Sequence, residues 1–323
     1  MMHAFEYAAP KSLDEALKLL GSAWGDTEIL AGGTDLLSLM KDFVVQPKRL
    51  VNLADVGLAG IAPEGDSLVI GAMTTLDALL AHASVPTALT QAAAGVHSPQ
   101  LRSMGTIGGD LLQRPRCWYF RRGHGLLAQK DGASMVEAGD HRDHAVFGNG
   151  GAAKYVNPSS FAPALIALGA SVKVRGQNGE RSLAVKDLYR TPASATEREF
   201  TIASNEIVTH VVVPISRSSN ATYEIRQRHG LDWPEASASV AVTVVDDKVT
   251  AASACLGHVA PVPWTVDVSS LVGSVLTAES AAAVAAEVVA DATPLTMNGH
   301  KVELAKVALT RALLRAAGKE VVR

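Results

Sequence analysis

"EILAGGTDLLSLM", residues 28–40, places a Gly-Gly pair between an apolar run that ends at Leu30 and a helix-like stretch that begins near Asp35. A second turn of the same kind, "RSMGTIGGDLL", follows at 102–112. Each has an apolar run, a Gly-Gly pair, a small or acidic polar residue (Thr34 and Asp35; Asp110) and then leucines, a layout that offers adjacent backbone N–H groups to an anion. Neither turn has the G-x-G-x-x-G spacing of a Rossmann cradle, and no G-x-x-x-x-G-K-[ST] occurs in the chain, so both common nucleotide loops are disfavoured. A dinucleotide pyrophosphate held between two such turns needs little side-chain charge, which suits the absence of Lys from both.

Working outward from the first turn, "HAFEYAAP" reads as a short strand and "KSLDEALKLL" as a helix. Ser12 is its N-cap, Glu15 follows three residues on, and Leu13, Ala16, Leu17 and Leu20 share one face. "TEIL" is the strand that leads into the glycines, a helix follows at 35–41, and "RLVNLA" (49–54) and "SLVIGA" (67–72) are strands, the latter behind a Gly-Asp hairpin turn. Residues 75–96 have helical spacing with breaks, and 97–113 turns to loop and strand character. Residues 113–160 are rich in Gly, Arg, His and Asp with little periodicity and read as a long excursion. Regular structure resumes with the helix "SSFAPALIALG" (159–169) and the strands "ASVKVRG" and "EIVTHVVVP", the last stopping at Pro214.

Long alternating strands over 236–261 form a hairpin about an Asp-Asp-Lys turn, and two helices with apolar faces, "AESAAAVAAEVVADA" and "KVELAKVALTRALLRAAG", close the chain. The fold class is α+β: a first subdomain over 1–55, a second over 56–218 that carries the excursion at about 113–157, and a sheet-plus-helices domain over 219–323. The Ser/Asn-rich "SRSSNAT" marks the last boundary.

With 323 residues, 48% hydrophobic and 19% charged, the composition is that of a globular protein, and a net charge of −3 gives no global attraction to polyanions. No stretch is apolar for the ~20 residues of a membrane span, and the N-terminus is amphipathic and acidic where a secretory signal would be basic and then apolar. The expected location is cytoplasmic; the alternative is periplasmic, by co-export with a signal-bearing partner. Two cysteines, Cys117 and Cys255, make no chelating motif or disulfide framework. The basic, aromatic cluster "QRPRCWYFRRGH" (113–124) is read as a loop anchor or subunit contact in preference to a nucleic-acid patch, and "DHRDH" (140–144) as a solvated turn in preference to a metal site.

The pairing of "ILAGGTDLL" with "SPQLRSMGTIGGDLL", 74 positions apart from Gly32 to Thr106, resembles the FAD-binding medium subunit of the molybdenum hydroxylases, the xanthine dehydrogenase, aldehyde oxidoreductase and carbon monoxide dehydrogenase family. The likeness runs from "FEYAAPKSLDEALKLL" through "NPSSFAPALIALGASVKVRG" and "NEIVTHVVVP" to the carboxy-terminal layer, and "GGDLLQRPRCWYFRR" is most similar to the periplasmic-type aldehyde oxidoreductase branch. It implies a two-subdomain FAD-binding domain of the vanillyl-alcohol-oxidase (PCMH) type followed by the C-terminal domain of the carbon monoxide dehydrogenase flavoprotein. It also implies an electron-transfer role: electrons pass from [2Fe–2S] clusters of a small subunit, reduced by a molybdopterin-binding large subunit, through FAD to NAD, oxygen or a quinone. No catalytic or metal-binding residue is then required of this chain.

The residues that the resemblance assigns to FAD are Leu30, Ala31, Gly32, Gly33, Thr34, Asp35 and Leu36 in the first turn and Gly105, Thr106, Ile107, Gly108, Gly109 and Asp110 in the second, each turn donating N–H groups to the pyrophosphate. Ile207 and Val208 are expected near the isoalloxazine ring. Two departures touch the flavin: Ser160 stands where relatives often carry an Asp, and Ile225 where many carry a Lys, leaving Arg226 as the neighbouring cation. A third touches the excursion, which in the similar branch holds a [4Fe–4S] cluster through four cysteines. Here Cys117 stands alone, so no iron–sulfur cluster is expected. The departures leave a second reading, a scaffold subunit with weakened flavin binding; a self-sufficient flavoprotein oxidase lacks a substrate domain of the expected size.

Overall fold

The computed structural model describes residues 2–228 and 230–319. Its first lobe is a parallel three-stranded sheet, β1 (Glu6–Ala8), β2 (Thr27–Leu30) and β3 (Arg49–Asn52), ordered β1-β3-β2. Helix α1 (Leu13–Leu19) links the first two strands, and the Ser12 side chain accepts the Glu15 N–H at its start. Helix α2 (Leu36–Lys41) links the second pair, so the first glycine turn is the β2–α2 connection, at the carboxyl end of a parallel strand.

The second lobe opens with the hairpin β4 (Ile61–Glu64) and β5 (Ser67–Gly71), turning at Gly65 and Asp66. Helices α3 (Leu76–Ala81), α4 (Thr87–Gly95), α5 (Pro99–Met104) and α6 (Ile107–Leu111) follow. The last two correct the loop-and-strand expectation for 97–113. Ser98 accepts the Leu101 N–H ahead of Pro99 at the first helical position, and Thr106 accepts the Gly109 N–H, so both segments carry capping signals that the glycines obscure.

The excursion holds only short elements, α7 (Trp118–Arg121), a hairpin of β6 (Gln129–Lys130) and β7 (Ala133–Ser134), and α8 (Met135–Ala138). Beyond it, α9 (Phe161–Ala167), β8 (Ser171–Gly176), β9 (Gly179–Ala184) and β10 (Ile207–Pro214) complete an antiparallel sheet ordered β4-β5-β10-β8-β9. Strand β9, whose outward residues are nearly all polar, was not expected from the sequence. The core of this lobe gathers Ile70, Leu89, Ile107, Phe161, Leu165 and Val211, all fully buried, and each such side chain contributes ~1.5–3 kcal/mol.

The last domain is the antiparallel sheet β11 (Ser219–Ile225), β12 (Ala236–Val245), β13 (Lys248–Gly257) and β14 (Trp264–Val266), with α10 (Ala278–Val289) and α11 (His300–Ala316) on one face. Asp246 and Asp247 both have positive φ, 49° and 62°, as a tight hairpin turn demands. On β12, Ala236, Ala238, Val240 and Val242 meet the helices, while Ser237 and Ser239 face the other way. There the Ser239 hydroxyl pairs with that of Thr222 at 2.7 Å, and on neighbouring β13 the Ser253 hydroxyl donates to the Ala167 carbonyl at the end of α9. Small polar residues at alternate positions thus let α9 lie between the two sheets.

Candidate functional site

Between the first two lobes lies a cleft of about 170 Å³, with the first glycine turn on one side and the start of α6 on the other. The two turns touch. A Cβ on Gly32 would lie 1.7 Å from the Met104 carbonyl oxygen, one on Gly108 2.9 Å from the carbonyl oxygen of Ala72, and one on Gly109 3.9 Å from Cβ of Ala31. A side chain at Gly32 would separate the lobes and one at Gly108 would push α6 off the end of β5 within the second lobe, which is the physical reason for glycine at both.

The turns differ in what their N–H groups do. In the first, among the described residues, the N–H groups of Gly32, Gly33, Thr34 and Asp35 donate to no protein acceptor. In the second, four are spent: Ile107 donates to the Thr74 carbonyl (3.0 Å), Gly108 to that of Ala72 (2.9 Å), Asp110 to that of Thr106 (2.8 Å) and Gly109 to the Thr106 hydroxyl (3.0 Å), while the Thr106 N–H, among the described residues, donates to no protein acceptor. The expectation that both turns donate is narrowed in the second turn to the Thr106 N–H, on the cleft wall. The strand-to-helix connection at 72–74 runs alongside α6 and takes the Ile107 and Gly108 donors, so the second turn serves chiefly as a wall against which the first is positioned.

Of the residues named from the sequence, the cleft gathers Ala31, Gly32, Gly33, Thr34, Asp35 and Leu36 with Thr106, Gly108 and Gly109. Ile207 and Val208 also line it, at the start of β10, where a bulge interrupts the register between Val208 and His210. Leu30, Gly105, Ile107, Asp110, Ser160 and Arg226 lie outside the lining. Leu30 ends β2 and its carbonyl takes the Leu53 N–H (3.0 Å); the Gly105 carbonyl takes that of Leu76 (3.0 Å); Ile107 is in the core.

Asp110 is buried and joins α6 to α9. Its carboxylate accepts from the Ser159 hydroxyl and the Phe161 N–H (3.2 Å) and from Gln113 Nε2 (2.9 Å). Burial pushes its pKa up to about 6, against those hydrogen bonds. Ser160 is buried beside it at the start of α9, and its side chain caps no N–H. Arg226 pairs with Glu224 and the Asp232 carbonyl. A residue two positions away on the same strand face takes the charge that the sequence alone left available to the flavin.

Sequence reasoning missed the rim. Arg198 lies 4.8 Å over the Trp24 ring and pairs with Glu28 at 3.1 Å, and Arg114 forms a buried pair with Glu199. Glu28 and Arg198 are 170 positions apart, so no local pattern marks them. The basic cluster is a loop anchor: Arg121 Nη2 donates to Asp35 (2.7 Å) and to the Arg114 carbonyl (2.9 Å), the Arg114 N–H donates to Asp35 (2.8 Å), and Arg116 stands 3.4 Å from the same carboxylate.

Within the excursion, His141 is buried and held by the Val136 and Gly139 carbonyls (3.0 and 2.9 Å) and the Met297 N–H (3.1 Å), in place of the solvated turn expected for "DHRDH". Cys117 Sγ lies 3.1 Å from His144 Nε2. A [4Fe–4S] cluster needs four protein ligands, ordinarily thiolates, and Cys255 is buried in β13, so the residues around Cys117 do not fit one.

Residues 3–216 match the model of the FAD binding domain in molybdopterin dehydrogenase, and 221–316 that of the CO dehydrogenase flavoprotein C-terminal domain. The chain is 30% identical to the carbon monoxide dehydrogenase medium chain of Afipia carboxidovorans, over 98% of both chains. It is 31% identical to the aldehyde oxidoreductase FAD-binding subunit PaoB of Escherichia coli, over 98% of this chain and 99% of that one. Among solved structures, a chain of the Cu,Mo-CO dehydrogenase in its cyanide-inactivated form superposes with a TM-score of 0.77 at 27% identity, covering 99% of this chain and 100% of the other. The chain therefore belongs to the FAD-binding medium subunits of the molybdenum hydroxylase family.

Proposed function

We propose that the chain is the FAD-binding electron-transfer subunit of a molybdenum-cofactor-dependent oxidoreductase. It takes electrons from the [2Fe–2S] clusters of a small subunit, reduced in turn by a molybdopterin-binding large subunit, and delivers them to NAD, oxygen or a quinone. The observation that carries this reading is the run of four unpartnered N–H groups from Gly32 to Asp35 on the cleft wall. Successive N–H groups at the start of a helix fit the oxygens of a pyrophosphate. The guanidinium groups at the cleft are already neutralised, Arg114 by Glu199 and Arg198 by Glu28, so the backbone is the free source of positive potential.

Bound flavin supplies the exchange of electrons in pairs and singly, and the protein supplies placement. Ile207 and Val208, with Leu53 and Met73, offer an apolar wall to a flat ring system. Thr106 caps α6 and so fixes the wall facing the pyrophosphate seat.

The test is the visible spectrum of the purified full-length chain, with acid release of the pigment and iron assayed on the same sample. Flavin absorbance without iron is the expected result. A colourless chain that takes up no added FAD would overturn the reading in favour of a scaffold subunit.

A further inference from the structure

The 113–124 segment has two sides. Gln113 and Arg114 face the cleft, whereas Arg116, Cys117 and Trp118 face a second cavity of about 330 Å³, between the excursion and the C-terminal domain. The two spaces share no lining residue. At the inner end of this cavity stands Lys301 on α11, 1% exposed, whose ammonium donates to the carbonyls of His258 (2.8 Å) and Asp143 (3.0 Å). An ammonium carries three protons, and among the described residues no carboxylate pairs with this one.

Two buried imidazoles share the wall, each with one nitrogen committed. His258 Nδ1 pairs with the Ser237 hydroxyl (3.1 Å) and His144 Nε2 with the Cys117 thiol (3.1 Å). Their other nitrogens, His258 Nε2 and His144 Nδ1, have no partner, and neither does Nε of Arg116, whose guanidinium lies 4.2 Å over the Trp233 ring. Buried polar atoms without partners call for an explanation, and four on residues of one cavity wall, the fourth being the Tyr155 hydroxyl, point to an unseen group.

The group that fits is an anion. With the thiol donating to Nε2, His144 carries its proton on Nδ1 and is a donor, as are Arg116 Nε and the third ammonium proton. The acids on the wall are already engaged or face water: Asp232 is bound by Arg228 (2.9 and 3.0 Å), Glu235 by His300 (3.1 Å), and Asp143 is exposed. Burial, followed by the Lys301 charge, holds His144 down to about 4 and His258 to about 3, so both imidazoles are neutral beside the Lys301 ammonium. The outer walls, Trp118, Leu231, Trp233, Pro158 and Pro234, are apolar, and the volume is that of a small-molecule pocket.

We propose that this cavity binds a small organic carboxylate, with its carboxyl group toward Lys301, His144 and Arg116 and its apolar body between Trp118 and Trp233. An inorganic oxyanion would satisfy the donors and leave the aromatic walls uncovered.

The probe is benzoate, titrated into the full-length chain by calorimetry with tryptophan emission followed in parallel, and benzyl alcohol and phosphate as comparison ligands. The expected result is saturable one-site binding of benzoate that changes the emission, with benzyl alcohol at least about tenfold weaker. Arg116→Gln, Lys301→Met and Trp233→Ala should each weaken benzoate by about tenfold or more, roughly 1.4 kcal/mol. Should Lys301→Met fail to fold, the other two variants carry the test. Absent binding, equal affinity for the alcohol, or variants that bind as the unaltered chain does would overturn the proposal. So would tighter binding of phosphate, which would make the site one for an inorganic oxyanion, or benzoate binding insensitive to Trp233→Ala, which would place the ligand in the glycine-turn cleft.

Discussion

Gly32 stands so close to Met104 that a side-chain carbon on it would sit 1.7 Å from the Met104 carbonyl oxygen, with the neighbouring Gly105 Cα at 3.2 Å. The obstacle is backbone, so it cannot swing aside. Gly32→Ala is expected to push the first turn off α5 and reduce flavin content at least about tenfold, some 1.4 kcal/mol in binding. The flavin-to-protein absorbance ratio after incubation with FAD measures this. Gly150→Ala, where a Cβ meets nothing within 4 Å, should retain full flavin. Full occupancy in Gly32→Ala would show that the contact is dispensable.

Asp35 is the counter-ion of the basic segment, contacted by Arg121 at 2.7 Å and Arg116 at 3.4 Å, with all three side chains largely buried. Asp35→Asn leaves two guanidinium groups short of a charge in a poorly solvated place, at a cost of about 3 kcal/mol. The expected outcome is a melting temperature several degrees lower and faster tryptic cleavage at Arg121 and Arg122. Unchanged cleavage would mean that the segment is held by its backbone contacts alone.

The Arg114–Glu199 pair closes the same region from the other side, with Glu199 2% exposed. Removing one partner strands a buried charge, so Arg114→Met and Glu199→Gln should each cost about 3 kcal/mol. The double variant strands neither. It should therefore be less destabilised than the sum of the two, by at least about 1 kcal/mol in a double-mutant cycle from urea unfolding. Strict additivity would rule out the coupling.

The parts of the fold legible in the sequence are those that local chemistry decides. Ser12 with Glu15 announces α1, the alternation over 236–261 announces β12 and β13, and the Gly-Gly pairs announce the turns at the cleft. What was not legible depends on partners distant in sequence. The donors of Ile107 and Gly108 are consumed by residues 72–74, Arg226 is consumed by Glu224, and Arg198 finds Trp24 and Glu28 across the cleft. A glycine turn shows that backbone comes close to something; whether that is a ligand or another strand is settled only by tertiary contacts. The second turn resolves mostly to protein, with the Thr106 N–H left on the cleft wall.

Cys117 and His144 form a neutral pair. Burial raises the thiol pKa and lowers that of His144 to about 4, so at neutral pH neither thiolate nor imidazolium is present in quantity. Iodoacetamide should alkylate Cys117 in the folded chain at least about tenfold more slowly than in the unfolded chain. Cys255, wholly buried, should be protected further. Rapid labelling of Cys117 at neutral pH would contradict this pairing and indicate a thiolate.

Asp110 makes stability depend on pH in a defined direction. Its folded pKa, pushed by burial from the ordinary 3.8 to about 6, lies above the unfolded value, so the folded state holds the proton more tightly. The contribution to stability is fully present below the unfolded pKa and is lost as pH rises through the folded one. The window is therefore about pH 4 to pH 6, and the loss on the order of 2–3 kcal/mol. Asp110→Asn keeps an acceptor for the Ser159 hydroxyl and the Phe161 N–H but does not ionise. Relative to the unaltered chain, the variant should gain stability steadily across that window, as read by urea midpoints at several pH values. Parallel curves would show that the Asp110 carboxylate ionises in the fold as it does in water.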